Sequence, residues 1–175
     1  ERIRQEKFVQ FIFDEQWVSF RYQVRAKGLS LIGDLPLFVS ADSADVWVHP
    51  KLFEVDDDGR ATRVSGVPSD HFQKDGQLWG NPLYLWHNHL DENFSWWIAR
   101  IRGALQRFDL LRIDHFRGFN ACFAIPGDAQ TAMDPRCRWE PAPGLDLFAA
   151  LSNALGRDLP LIAEDLGIIT PGVRR

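Results

Sequence analysis

Cysteine is scarce in this sequence, and no sign of charge dominates it. Cys122 and Cys137 are its two thiols. They lack the spacing of a metal-binding pair and are too few for a disulfide scaffold, so reduced thiols in an intracellular protein are expected. No apolar run is long enough to cross a bilayer and no secretory signal opens the chain, which argues against a membrane partner. A net charge of −4 gives no general attraction to nucleic acid or anionic lipid. What the chain does have is aromatic mass: seven Trp and thirteen Phe, enough for a large core or for flat surfaces on which sugar rings or bases stack. Its balance of 45% hydrophobic and 25% charged residues is that of a folded globular domain.

Residues 1–27 predict a helix, with few breakers, a wide apolar face from Ile3 to Phe20, and Gly28 placed to close it. A short apolar run follows at 29–35, carrying Asp34. Residues 90–108 space Trp97, Ile98, Ile101 and Leu105 for one helical face, and strand 110–114 comes next. A third helix, 145–155, is closed by Gly156 and leads to strand 161–163, then Glu164 and Asp165. Helix then strand, three times, predicts a parallel α/β sheet, either doubly wound or part of a (β/α)8 barrel.

Residues 39–84 break that rhythm. DDDG at 56–59 predicts the turn of a small hairpin and lacks the alternating acids of a calcium loop. GVPSDHFQKDGQLWGNP, from Gly66 to Pro82, has no periodicity, and so long a loop inside a compact domain points to function. His87 and His89 in WHNHLD are read as a surface pair with capping duty, not as metal ligands.

The predicted strands finish in carboxylates: Asp34, Asp114, and Glu164 with Asp165. In parallel α/β folds the site lies beyond the carboxyl ends of the strands. In LLRIDHFRGF (110–119), Arg112 and Asp114 are two apart, so both project from one strand face. A guanidinium there would keep Asp114 ionised, while the apolar run before Glu164 would desolvate that acid and favour its protonated form. One charged and one protonated carboxyl meet the requirement of retaining glycoside chemistry. The same pattern also fits a buried ion pair that fixes strand register.

LLRIDHFRGF, GVPSDHFQKDGQLWGNPLY, LIAEDLGIITPGVR and the upstream GDLPLFVSADSADVWVHPKLF together resemble, in order, the 4-α-glucanotransferases (amylomaltases or disproportionating enzymes) of glycoside hydrolase family 77. The resemblance implies a TIM-type (β/α)8 barrel, of which residues 1–175 are a partial catalytic segment with 39–84 as an inserted acceptor-loop region. It implies transfer of 4-α-glucan segments, with Asp114 as nucleophile, Glu164 as general acid/base and Arg112 orienting Asp114. His115 would contact the sugar at the cleavage site, Asp34 would be a further substrate-side carboxylate, and Asp70, Phe72, Trp79, Asn81 and Pro82 would line or shape the acceptor groove. The implied partners are α-1,4-glucans and maltooligosaccharides, with no cofactor, metal, nucleic acid or membrane, in the cytoplasm or, for a plant or algal source, a plastid. The family's third catalytic aspartate falls beyond Arg175, so the chain is expected to be the middle of a longer enzyme and inactive alone. An α-amylase-like hydrolase, a glucan-binding protein without activity and a metal-dependent barrel hydrolase are the alternatives.

Overall fold

The computed structural model describes residues 1–71, 73–167 and 169–174. Its elements are α1 (Arg2–Ala26), β1 (Ile32–Pro36), α2 (Ala44–Val48), β2 (Arg63–Val67), β3 (Gln77–Pro82), α3 (Trp86–Asp91), α4 (Ser95–Arg107), β4 (Leu110–Asp114), β5 (Ala121–Pro126), β6 (Arg138–Pro141), α5 (Gly144–Leu155) and β7 (Leu161–Ala163), with 3-10 turns at Pro50–Leu52 and Phe116–Phe119.

The helix–strand alternation produces the expected parallel sheet, in the order β1-β4-β7. β4 and β7 occupy the residues predicted for them. β1 starts later than predicted because the end of α1 uses the residues before it. Gly28 adopts φ 73, and the N–H groups of Gly28 and Leu29 donate to the carbonyls of Arg25 and Val24, a pairing that a left-handed glycine permits.

β4 resolves the problem of charges in a core strand. Leu111 and Ile113 are almost fully buried, whereas Arg112 and Asp114 on the opposite face are only partly covered. Trp97 and Ile101 of α4 and Leu147 and Leu151 of α5 belong with them to the main core. Each such side chain stabilises by about 1.5–3 kcal/mol on burial. α4 begins at Ser95 rather than at residue 90, because Asn93 and Phe94 take left-handed backbone. The WHNHLD stretch is helix α3, not a surface loop. His89 is 1% exposed with Nε2 3.1 Å from the Leu52 carbonyl, and burial lowers its pKa to about 4.

A second, antiparallel sheet in the order β3-β2-β5-β6 takes up eight of the seventeen residues read as an aperiodic loop, at its two ends. β2 and β3 approach so closely that a Cβ on Gly66 would lie 2.2 Å from the Gln77 carbonyl oxygen. The pairing therefore depends on glycine, a residue that usually argues against strand. DDDG makes less of a hairpin than predicted: Asp56 accepts from the N–H groups of Asp58 and Arg60, and a single bridge joins Val55 to Ala61. Arg63 ties this sheet together, pairing at 2.6 Å with both Glu54 and Glu140.

α1 buries none of its residues. It docks by its C-terminal half, where Trp17 Nε1 donates to the Arg107 carbonyl at 3.0 Å and Arg21 and Arg25 both bind Asp109. The Leu31 N–H and those two guanidinium groups hold the Asp109 carboxyl well below the usual range.

Candidate active site

The parallel register aligns four charged residues at one sheet end. Asp34 lies opposite Arg112 across β1 and β4, and Ala163 opposite Ile113 across β4 and β7, which sets Glu164 level with Asp114. Arg112 gathers all three acids. Its Nη1 donates to Asp34 at 2.6 Å, and its Nη2 donates to Asp114 at 2.9 Å and to Glu164 at 2.8 Å. Two oxygens sharing that donor can be no farther apart than the two bonds laid end to end, about 5.7 Å. The acids raise the Arg112 pKa, Asp34 most of all and against some desolvation. The positive charge at the centre of the cluster is thus the chain's own. Among the described residues no three His, Cys, Asp or Glu side chains are grouped to hold a metal ion.

The chain turns sharply after Asp114. His115 takes a left-handed backbone at φ 55, uncommon for a residue with a side chain and frequent at functional sites. The turn aims its N–H at Oε2 of Glu164, 2.7 Å away. Its ring meets Trp79 edge-on at 4.8 Å between centroids. Burial, reinforced by the charge of Arg117 and opposed by Asp114, lowers the His115 pKa to about 4, and its Nε2 is buried with no partner among the described residues. Gly118 keeps the ring in place, since a Cβ there would meet Leu37 at 2.2 Å and His115 at 2.9 Å.

Two clefts meet at Asp114, His115 and Trp79. One, of about 690 Å³, runs past Phe38, Ser40 and Asn81. The other, of about 480 Å³, is lined by Asp70, Gln77, Arg117, Trp139 and Glu164 as well. The predicted residues divide accordingly. Asp114, His115, Trp79, Asn81, Asp70 and Glu164 line one or both clefts, while Asp34 joins through Arg112. Asn81 also anchors the wall by donating to the Val39 carbonyl at 3.1 Å. Pro82 is buried, ends β3 opposite Val64 and lines neither cleft. Phe72 lies outside the described residues.

Glu164 departs from expectation. Ile162 and Ala163 before it are exposed, and its two oxygens accept from a guanidinium and an amide rather than facing an apolar wall. The sequence reading also passed over Arg117 and Trp139, whose guanidinium and ring lie 3.8 Å apart in the second cleft. Arg117 stands three residues after Asp114, close enough in LLRIDHFRGF to have been considered.

A family model described as 4-alpha-glucanotransferase matches residues 1–175. The chain is 47% identical to the 4-alpha-glucanotransferase of Thermus thermophilus over 99% of its own length and 34% of that protein's, and 50% identical to that of Aquifex aeolicus over 95% and 34%. It superimposes with a TM-score of 0.90 on the amylomaltase from Streptococcus agalactiae in complex with acarbose, at 48% identity, covering 94% of this chain and 33% of that one. It therefore spans about a third of the length of the curated relatives it matches. The mixed α/β fold and the match along all its residues place this chain in the 4-alpha-glucanotransferase family, glycoside hydrolase family 77.

Proposed function

We propose that the full-length enzyme carrying this chain transfers 4-α-glucan segments between α-1,4-glucans or maltooligosaccharides with retention of configuration. Residues 1–175 form part of its (β/α)8 catalytic barrel, residues 39–84 are an insertion walling the acceptor side, and the setting is cytoplasmic, or plastid in a plant or alga. The observation that carries the mechanism is the single Arg112 nitrogen bonded to both Asp114 and Glu164. The two oxygens bonded to it, Asp114 Oδ1 and Glu164 Oε1, are at most about 5.7 Å apart, which fits the roughly 5–5.5 Å of a retaining pair better than the roughly 6.5–9.5 Å that admits a water in inverting enzymes.

Asp114 attacks the anomeric carbon while Glu164 gives its proton to the departing glycosidic oxygen. In the covalent intermediate Asp114 is a neutral ester and Glu164 carries the charge. Glu164 then takes the proton of the acceptor hydroxyl, whose oxygen displaces Asp114. One negative charge moves between two acids while Arg112 stays bonded to both, so the site never has to accommodate a net change. The unpartnered Nε2 of His115 is satisfied by a sugar hydroxyl, and Trp79, Asn81 and Asp70 line the path of the glucan. The acarbose-bound relative supports a glucan-shaped ligand.

Maltotriose tests the reading. Transfer yields a ladder of longer and shorter oligosaccharides with no net gain of reducing ends. A steady rise in reducing ends without the ladder would identify a hydrolase instead.

A further inference from the structure

The second cleft contains a cation that the fold itself leaves without an acceptor. The Arg117 side chain makes no hydrogen bond or ion pair with any described residue, and its Nε is buried and unpartnered. Its guanidinium instead lies 3.8 Å from the centre of the Trp139 ring, and Trp139 is backed by Phe123 at 5.3 Å. A guanidinium stacked on an aromatic face uses none of its N–H donors in the stacking and presents them in its own plane. A partly desolvated charge with no carboxylate is costly in a purely structural role. Burial lowers the Arg117 pKa accordingly.

The position fixes which ligand these donors meet. The cleft of Arg117 includes Glu164, whereas the cleft past Phe38 and Asn81 does not. The group that protonates a leaving oxygen and later deprotonates an acceptor faces the acceptor side. Asp70, Asp114 and Glu164 border the same space, which disfavours an anion and suits a neutral polyhydroxyl chain.

We propose that Arg117, held flat on Trp139, is an acceptor-binding residue that donates hydrogen bonds to hydroxyls of the incoming glucan. This rests on the proposed transferase reading, and the test separates the two. In the full-length enzyme, with maltoheptaose as saturating donor and maltose as varied acceptor, Arg117→Ala raises the acceptor KM by about ten- to a hundredfold. Release of the aryl group from 4-nitrophenyl maltoside, which reports the first step with no sugar on the acceptor side, falls by much less than transfer to maltose does. Arg117→Lys, which keeps stem and charge but loses the planar fork, raises the acceptor KM by about tenfold and carries the test if the alanine variant fails to fold. An acceptor KM unchanged in Arg117→Lys, or a fall in both steps alike, overturns the proposal. Maltose binding to full-length Asp114→Asn, measured by calorimetry, weakens when Arg117→Ala is added; unchanged binding also overturns it. Wild-type enzyme that binds maltose through Arg117 but makes no transfer product would retire the transferase reading and leave the binding residue standing.

Discussion

The amide of His115 donates to Oε2 of Glu164 at 2.7 Å while Arg112 holds the other oxygen at 2.8 Å. Glu164 is thus an acceptor at both oxygens, whereas Asp114 meets Arg112 through Oδ1. An amide side chain has one accepting oxygen. Glu164→Gln must therefore set an NH2 against a donor, while Asp114→Asn can turn its NH2 outward. Glu164→Gln is expected to lower the melting temperature more than Asp114→Asn, and the opposite order in a calorimetric scan would refute this account of the cluster.

The two acids are expected to part company under chemical rescue. With an activated α-glucoside donor, azide restores turnover to full-length Asp114→Gly and gives the β-glycosyl azide, because azide takes the nucleophile's face. For Glu164→Ala, azide attacks the glycosyl-enzyme and gives the α-azide. Product anomers assigned by NMR decide it, and the reverse assignment would exchange the roles of the two residues.

Arg112→Lys should lower kcat/KM of the full-length enzyme by about a hundredfold or more. One ammonium cannot reproduce a fork that serves acids from three strands. Asp34→Asn should cost much less, since Asp34 touches the cluster only through Nη1. Steady-state kinetics giving equal losses would contradict this ranking.

Gly118→Ala should destabilise by about 1–3 kcal/mol. Its new methyl group meets Leu37, which is 2% exposed and has no room to yield, and the His115 ring. The measurement is the urea midpoint, and an unchanged midpoint would mean that the turn after β4 is looser than described.

Two of the five histidines, His89 and His115, should remain neutral down to about pH 4. Their unfolded values lie near 6.5, so the unfolded chain binds protons first as pH falls. Stability is full above about pH 6.5 and declines toward pH 4, by up to about 1.4 kcal/mol per pH unit for each histidine. Imidazole NMR titrations showing both near 6.5 would remove this source of acid sensitivity.

Much of the site was legible because its logic is local to strands. LLRID alternates side chains with period two, so Arg112 and Asp114 had to share a face, and LIA followed by Glu164 placed the second acid at the neighbouring strand end. The antiparallel sheet was hidden for three separate reasons. Gly66 looks like loop but allows β2 and β3 to meet, with Gly80 at a left-handed φ inside β3, β5 buries four consecutive residues from Cys122 to Ile125 and so shows no alternation, and β6 is only Arg138–Pro141. The surroundings of Glu164 were misjudged because its two partners come from β4 and the turn after it, distant in sequence. Arg117 was marked in the sequence only by its place three residues after Asp114, since its significance lies in the side-chain acceptor it lacks.

Arg112 binds one side chain from each of the three parallel strands or their ends, so the residue that organises the carboxylates also cross-braces the sheet beneath them. Variants at Arg112 sorted by cellular abundance and variants sorted by turnover should therefore come out in much the same order, whereas at Arg117, whose side chain stacks on Trp139 and pairs with no acid among the described residues, the two rankings should separate.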